Sequence, residues 1–193
     1  MFSGTVRRIF LIALVTACVS GTASAASLGD TLAKPDRILL MRHADAPGFG
    51  DPPEHVLGDC ATQRNLGERG QKQAVEIGEW LRGQGVSRAE IYSSPWCRCV
   101  DTATRLKLGT VTSDESLGSF FNDPQQSAEQ TSRLQALIAK ALALKGKKAL
   151  ILVTHQVNIS AYVGKTLGSG DMVLVRVNRQ GRVLSHRVFQ SPY

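Results

Sequence analysis

The 193-residue sequence lacks any apolar run long enough to cross a membrane: its longest, Ile9 to Val19, holds eleven residues, against the roughly 20 that a spanning helix needs. A stable membrane span is therefore not expected. Aromatic residues make up only 6% of the chain, and neither a block of basic residues nor basic-aromatic interleaving occurs, which argues against a nucleic-acid partner. Internal repeats and low-complexity tracts are missing too. Cysteine is scarce, at four residues, and no CxxC pair is among them. Cys97-Arg98-Cys99 has the wrong spacing for a zinc site and no nearby histidine, so no metal and no cofactor are expected.

What the N-terminus does contain is Arg7 and Arg8, the short apolar stretch, and the small-residue string Ser20 to Ala25. This is the pattern of a secretory signal peptide over residues 1–25, with cleavage after Ala25. A second reading stays open: Val15-Thr16-Ala17-Cys18 resembles a bacterial lipobox in which Cys18 would be acylated. Either way the expected location is outside the cytoplasm, the periplasm in a bacterium. Cleavage after Ala25 leaves residues 26–193, or 168 residues, a length suited to a single domain. Of 23 basic and 16 acidic residues, removal of Arg7 and Arg8 leaves 21 against 16, a net charge of +5, which favours a small anionic partner. In an oxidising compartment, three mature cysteines predict one bridge, from Cys60 to Cys97 or to Cys99. The sequence says nothing of oligomeric state.

The remaining chain is organised around Ile38-Leu39-Leu40-Met41-Arg42-His43, an apolar run that ends in a cation and an imidazole before breaking into a loop rich in proline and glycine. Such a run reads as a buried strand. Open α/β sheets hold ligands at the carboxyl ends of their strands, so Arg42 and His43 are placed for chemistry; a strand-end arginine beside a surface histidine is the plain alternative. A polar, proline-containing lead-in (residues 27–36) precedes this strand. A helix opens at Leu66-Gly67-Glu68-Arg69-Gly70-Gln71-Lys72-Gln73-Ala74, with Ala74, Ile77, Gly78 and Leu81 on its apolar face. Ile91-Tyr92-Ser93 is a short strand, followed by a helix from about Pro95 to Leu106 with Ser94 as its N-cap and Arg98 in its first turn. A short extended piece follows Leu108, then a helix from about Ala128 to Leu144. Ala149 to Val153 is a second buried strand, and it too ends in a histidine, His155. A helix covers about Val157 to Leu167, and two strands joined by Asn178-Arg179-Gln180-Gly181 form an antiparallel hairpin. His55 and His186 receive no role.

Two histidines and two arginines without a metal suit a phosphate dianion. Guanidinium forks match its oxygens, and their field keeps an imidazole neutral, with a nitrogen free to attack phosphorus.

These residues resemble the histidine phosphatase (phosphoglycerate mutase-like) superfamily. The matches run in order: Leu40 to Asp45 for its Arg-His-Gly signature, Leu66 to Ala74 for its helix start, Ser93-Ser94-Pro95 with Arg98 and Asp101-Thr102-Ala103, and Val153-Thr154-His155. Size and the Met-Arg-His-x-Asp-Ala start look most like the small bacterial phosphohistidine phosphatases. The resemblance implies a three-layer α/β/α sandwich with a mostly parallel mixed sheet, into which the C-terminal antiparallel hairpin fits. It also implies transient phosphorylation of His43, clamping by Arg42 and Arg98, hydrogen bonds from His155, and hydrolysis of a phosphomonoester or phosphoramidate. Three departures stand out. Ala44 replaces the signature glycine, Gln156 follows His155 where glycine is common, and the acid found in many members has no unambiguous equivalent. Asp114 and Glu115 are the first candidates for proton donor, Asp45 and Asp123 the next. A non-catalytic phosphate-binding module is the alternative function. The loops expected to select substrate, Gly48 to Arg64 and Thr112 to Gln126, carry no readable code.

Overall fold

The alternation of side chains along each strand decides the layers. In a computed structural model, which describes Met1 and residues 26–193, the first strand β1 (Arg37–Arg42) sends Leu39 and Met41 to one face of the sheet and Ile38 and Leu40 to the other. Both faces must then be covered. The signal peptide and Cys18 readings fall on residues 2–25, outside the described residues.

In chain order the elements are α1 (Leu28–Leu32), β1, α2 (Glu68–Gly83), β2 (Ala89–Ser93), α3 (Cys97–Arg105), β3 (Val111–Ser113), α4 (Ser127–Leu144), β4 (Ala149–Thr154), α5 (Gln156–Val163), β5 (Met172–Val177) and β6 (Val183–Phe189). They form one six-stranded sheet in the order β3-β2-β4-β1-β5-β6. β3, β2, β4 and β1 run parallel, and β5 and β6 are antiparallel, closing one edge as a hairpin. α1, α2 and α3 pack on the Leu39/Met41 face through Leu32, Ile77, Leu81 and Ala103; α4 and α5 cover the other through Leu134, Ile138, Ala141, Ile159 and Tyr162. This is the three-layer α/β/α sandwich with a mostly parallel mixed sheet. Among the described residues, no helix is long and apolar enough to cross a membrane.

Three local details differ from the sequence reading. α5 ends at Val163, four residues short of Leu167, because Gly164 turns left-handed (φ 69°) and caps it. Residues 27–36 hold a helical turn, α1, closed by a capping box between Ser27 and Asp30. Trp96, not Ser94, is the N-cap of α3; the Ser94 hydroxyl has another partner, described below.

The helix start Leu66 to Ala74 shapes the loop that follows β1. Gly70 lies so close to that loop that an added Cβ would stand 1.8 Å from the Asp45 carbonyl oxygen. Gln73 receives the Asp45 N–H on Oε1 (2.9 Å) and donates from Nε2 to the Ser169 carbonyl (2.9 Å). Ala74 packs with Ala44, Ala46 and Leu66. A glycine, an amide and a methyl, three and four residues apart on one face of α2, thus fix the backbone just beyond His43. A disulfide joins Cys60 to Cys97, tying the far part of the loop to the first residue of α3, while Cys99 is free and buried.

Gly70→Ala should force α2 and the loop apart, costing about 1–3 kcal/mol and lowering Tm by roughly 2–10 °C; Gly83→Ala, where an added Cβ meets nothing within 4 Å, should leave Tm level or slightly higher. Thermal unfolding of the two variants checks this. Mass spectrometry of the non-reduced protein should find Cys60 linked to Cys97 and Cys99 as a free thiol, and reduction should remove about 3–4 kcal/mol of stability by the loop-entropy estimate.

Candidate active site

Three parallel strands end side by side. Arg42 on β1 is in register with Thr154 on β4, and Ser93 on β2 with Val153. The ladder runs one step further, with His43 N–H donating to the Thr154 carbonyl (3.0 Å) and Ser94 N–H to the Val153 carbonyl (2.9 Å). Ser94, His155 and His43 therefore emerge together at one edge of the sheet.

His43 is 3% exposed. Its Nδ1 lies 2.8 Å from the Ala44 carbonyl, an acceptor only, so Nδ1 carries the proton and Nε2 keeps its lone pair. Burial drives its pKa down to about 3; the Ala44 bond opposes this, and the Arg98, Arg42 and Arg64 guanidinium groups add to it. Ala44 serves in place of glycine because its backbone does not enter the left-handed region; Lys107 is the only described non-glycine residue with positive φ. The Ala44 N–H donates to Thr102 Oγ1 (3.0 Å).

The ring centroid of His155 is 5.6 Å from that of His43, edge to face. Arg98 Nη2 is 3.4 Å from its Nδ1 and Ser94 Oγ 2.8 Å from its Nε2. A guanidinium only donates, so Nδ1 accepts and Nε2–H donates to Ser94. Burial first, then the charges around it, holds the His155 pKa well below the ordinary value. Cys99 Sγ lies 3.5 Å from Nε2, and burial pushes this thiol up to about 12.

Arg98 is 3% exposed, and its fork is filled by a carboxylate: Nη1 and Nη2 donate to Asp51 Oδ1 (2.7 Å) and Oδ2 (2.9 Å). Trp96 Nε1 and the Arg64 N–H also donate to Asp51, each at 3.2 Å. Burial works to raise the Asp51 pKa, but the bonds and charge of Arg98 outweigh it and hold the carboxyl below its ordinary value. Arg42 Nη1 donates to the Leu167 carbonyl (2.8 Å). Arg64 Nε donates to the Gly50 carbonyl (2.6 Å), and its Nη1 to that of Ala46. Nε of both Arg42 and Arg98 is buried with no partner among the described residues.

A cleft of about 480 Å³ opens on these groups, with Arg42, His43, Arg98 and His155 all in its lining. Asp114 and Glu115 are not there. Asp114 turns its carboxylate onto the Ser116 N–H (2.8 Å), capping the short turn Glu115–Leu117, and the Glu115 carbonyl accepts from Gln130 on α4 (2.7 Å). That turn faces α4, so Ser119, Phe120 and Phe121 reach the cleft in its stead. The acids on the cleft are Asp45, Asp51 and Asp123. Asp123 is committed to Gln125 N–H (3.2 Å) and Gln126 Nε2 (2.9 Å). The Asp45 carboxylate has no hydrogen-bond partner among the described residues. Sequence reasoning missed Asp51, Arg64, Trp96 and the Ser94–His155 contact; all but Ser94 and Trp96 sit in loop sequence without periodic pattern. Among the described residues, no group of three or more His, Cys, Asp or Glu side chains is placed to hold a metal ion.

Residues 38–119 match the profile of the histidine phosphatase superfamily (branch 1). No curated protein sequence matches the chain. Among solved structures the chain is similar to a mycobacterial glucosyl-3-phosphoglycerate phosphatase in complex with VO3, with TM-score 0.59 and 17% identity over 81% of this chain and 99% of that one. It is similar also to the phosphoserine phosphatase of Entamoeba histolytica in complex with 3-phosphoglyceric acid (0.56, 16%, 80% and 98%). A third is the protein histidine phosphatase SixA complexed with tungstate (0.51, 19%, 81% and 97%). At these identities the likeness establishes the fold.

The depressed histidines fix a pH response. Below the unfolded-state value near 6.5 the unfolded chain takes up a proton that folded His43 refuses until about pH 3, so stability present above pH 6.5 should drain away on acidification across that window. Melting temperatures between pH 7 and 4 should fall less steeply for His43→Gln than for the wild type.

Proposed function

We propose that this chain, whose residues 38–119 match the histidine phosphatase superfamily, is an exported, metal-independent phosphatase hydrolysing a phosphomonoester or phosphoramidate through a phosphohistidine on His43. The observation that carries this reading is the state of that imidazole: its Nδ1 proton is pinned to the Ala44 carbonyl, leaving a neutral, unpaired Nε2 in a cleft lined by three guanidinium groups.

The substrate dianion takes the place of the Asp51 carboxylate on Arg98, with Arg42 and Arg64 neutralising the rest of its charge. His43 Nε2 then attacks phosphorus in line, the N–P bond forms, and the P–O or P–N bond to the leaving group breaks. Asp45, the acid on the cleft with no competing hydrogen bond, gives the leaving group its proton. Ser94 adapts His155 to the change: a hydroxyl donates as readily as it accepts, so once an oxyanion replaces Arg98 at Nδ1, Ser94 donates to Nε2 and Nδ1–H donates to a phosphoryl oxygen. Water, deprotonated by Asp45, cleaves the N–P bond and releases inorganic phosphate.

Export belongs to the same proposal. The N-terminal pattern of Arg7, Arg8 and the small-residue string is that of a cleaved leader over residues 1–25, and a Cys60–Cys97 bridge is stable in an oxidising compartment such as the periplasm. Cys18 acylation is the other outcome of N-terminal processing.

Wild-type protein should turn over p-nitrophenyl phosphate in excess chelator, and rapid acid-free quenching with labelled substrate should leave acid-labile label on His43. His43→Ala should abolish both, and Arg98→Ala should cost about 10²–10³ in kcat/KM. Phosphate binding with neither turnover nor label would establish a binding module in place of an enzyme. Asp45→Asn should slow alkyl phosphates more than p-nitrophenyl phosphate, whose leaving group needs no proton.

A further inference from the structure

The outer part of the cleft is built of different material from its base. Phe49 is 88% exposed and Phe121 40% exposed, yet their ring centroids lie 5.0 Å apart at 81°, and both line the cleft. They come from separate loops, one after β1 and one after β3, so their meeting is a property of the fold and not of local sequence. Gly48 (φ 94°) and Gly50 (φ 66°) flank Phe49, both in the left-handed region. Two such glycines throw the intervening residue outward, which is how an apolar ring comes to stand in water at the mouth of a charged pocket. Burial would ordinarily reclaim such a surface; a paired and exposed set of rings at a pocket mouth marks a binding element. Phe120, 8% exposed, lines the cleft alongside Phe121.

Charge narrows the occupant further. The arginines lining the cleft are Arg42, Arg64 and Arg98, no lysine lines it, and its acids are Asp45, Asp51 and Asp123, with His55 besides. A leaving group bearing a carboxylate or second phosphate would find no lysine and no arginine beyond the three that hold the phosphoryl group, and it would meet repulsion from the acids. A flat uncharged ring finds two perpendicular aromatic faces.

We propose that Phe49 and Phe121 are specificity-determining residues that grip the leaving group, and that the substrate class is a phosphate ester whose organic part carries an uncharged, flat, apolar ring near the phosphoryl group. This rests on the phosphatase reading for turnover, though not for binding. Small ring-bearing alcohols and phenols, free or as a phosphotyrosine side chain, share this chemistry.

Benzyl and ethyl phosphate test it, because their leaving alcohols have similar basicity and differ by the ring. The wild-type kcat/KM ratio of benzyl to ethyl should be at least about 10, with 3-phosphoglycerate below both; Phe49→Ala/Phe121→Ala should collapse that ratio by roughly 10-fold, and Phe49→Tyr should retain it. A ratio near 1 in the wild type, or one that survives the double substitution, overturns the proposal. Dissociation constants for benzylphosphonate and ethylphosphonate, which cannot be hydrolysed, separate the two claims. Ring preference in binding without turnover of any ester refutes the enzyme and keeps the clamp; turnover with His43 labelling but no ring preference does the reverse. Phenyl phosphate and a phosphotyrosine peptide, compared in parallel, assign the source: equal ratios point to the ring alone, and a gain confined to the peptide points to a protein substrate.

Discussion

Parallel pairing of β1 with β4 is the constraint on which the site depends. Once Leu39 is set opposite Ile151, Arg42 must lie opposite Thr154, and the residues after those two positions are the two histidines. A slip of one residue would turn every side chain of β1 to the opposite face, exchanging the Leu39/Met41 set for the Ile38/Leu40 set. Both sets are packed under helices, so the register is held from two sides, and the separation of His43 from His155 inherits that rigidity.

Around this frame the electrostatics act in one direction. Dry surroundings and three guanidinium groups both disfavour an imidazolium, so both rings stay neutral and each keeps one nitrogen lone pair. Among the described residues the cations of the cleft have only one carboxylate bound in a fork, Asp51 on Arg98. A surplus of positive charge at the base of the cleft, set against the exposed Phe49 and Phe121 rings at its mouth, gives the pocket a direction: phosphate inward, the organic group outward.

The sheet was legible because its signals are periodic. Two apolar runs ending in histidine, and an Asn-Arg-Gln-Gly turn between strands, depend on neighbours in sequence, and each element fell where its pattern placed it. Arg42, His43, Arg98 and His155 were legible for the same reason, standing at strand ends or in a first helical turn. Asp51 and Arg64 were not, since a loop bracketed by glycines has no period to read and their partners are 47 and up to 18 residues away. Ser94 shows how a local rule is overridden: beside Pro95 it has the form of a cap, but His155 at 2.8 Å, 61 residues on, claims the hydroxyl. Asp114 and Glu115 failed for the opposite reason, since sequence spacing says nothing of which way a short turn faces.

The Cys60–Cys97 bridge bears on how the rim of the cleft is held. It pins the loop after β1 to the base of α3 one residue before Arg98, and Gln63 Oε1 reinforces the joint by accepting the Cys97 N–H (3.0 Å). Gln63 Nε2 also donates to the Val56 carbonyl (2.9 Å) and the Val56 N–H donates to Thr62 Oγ1 (2.9 Å), so the end of the loop is tied to the same joint. The cross-link thus shortens the uninterrupted span of the loop after β1, so that Phe49 and Asp51 sit on a short tether between the end of β1 and the first turn of α3.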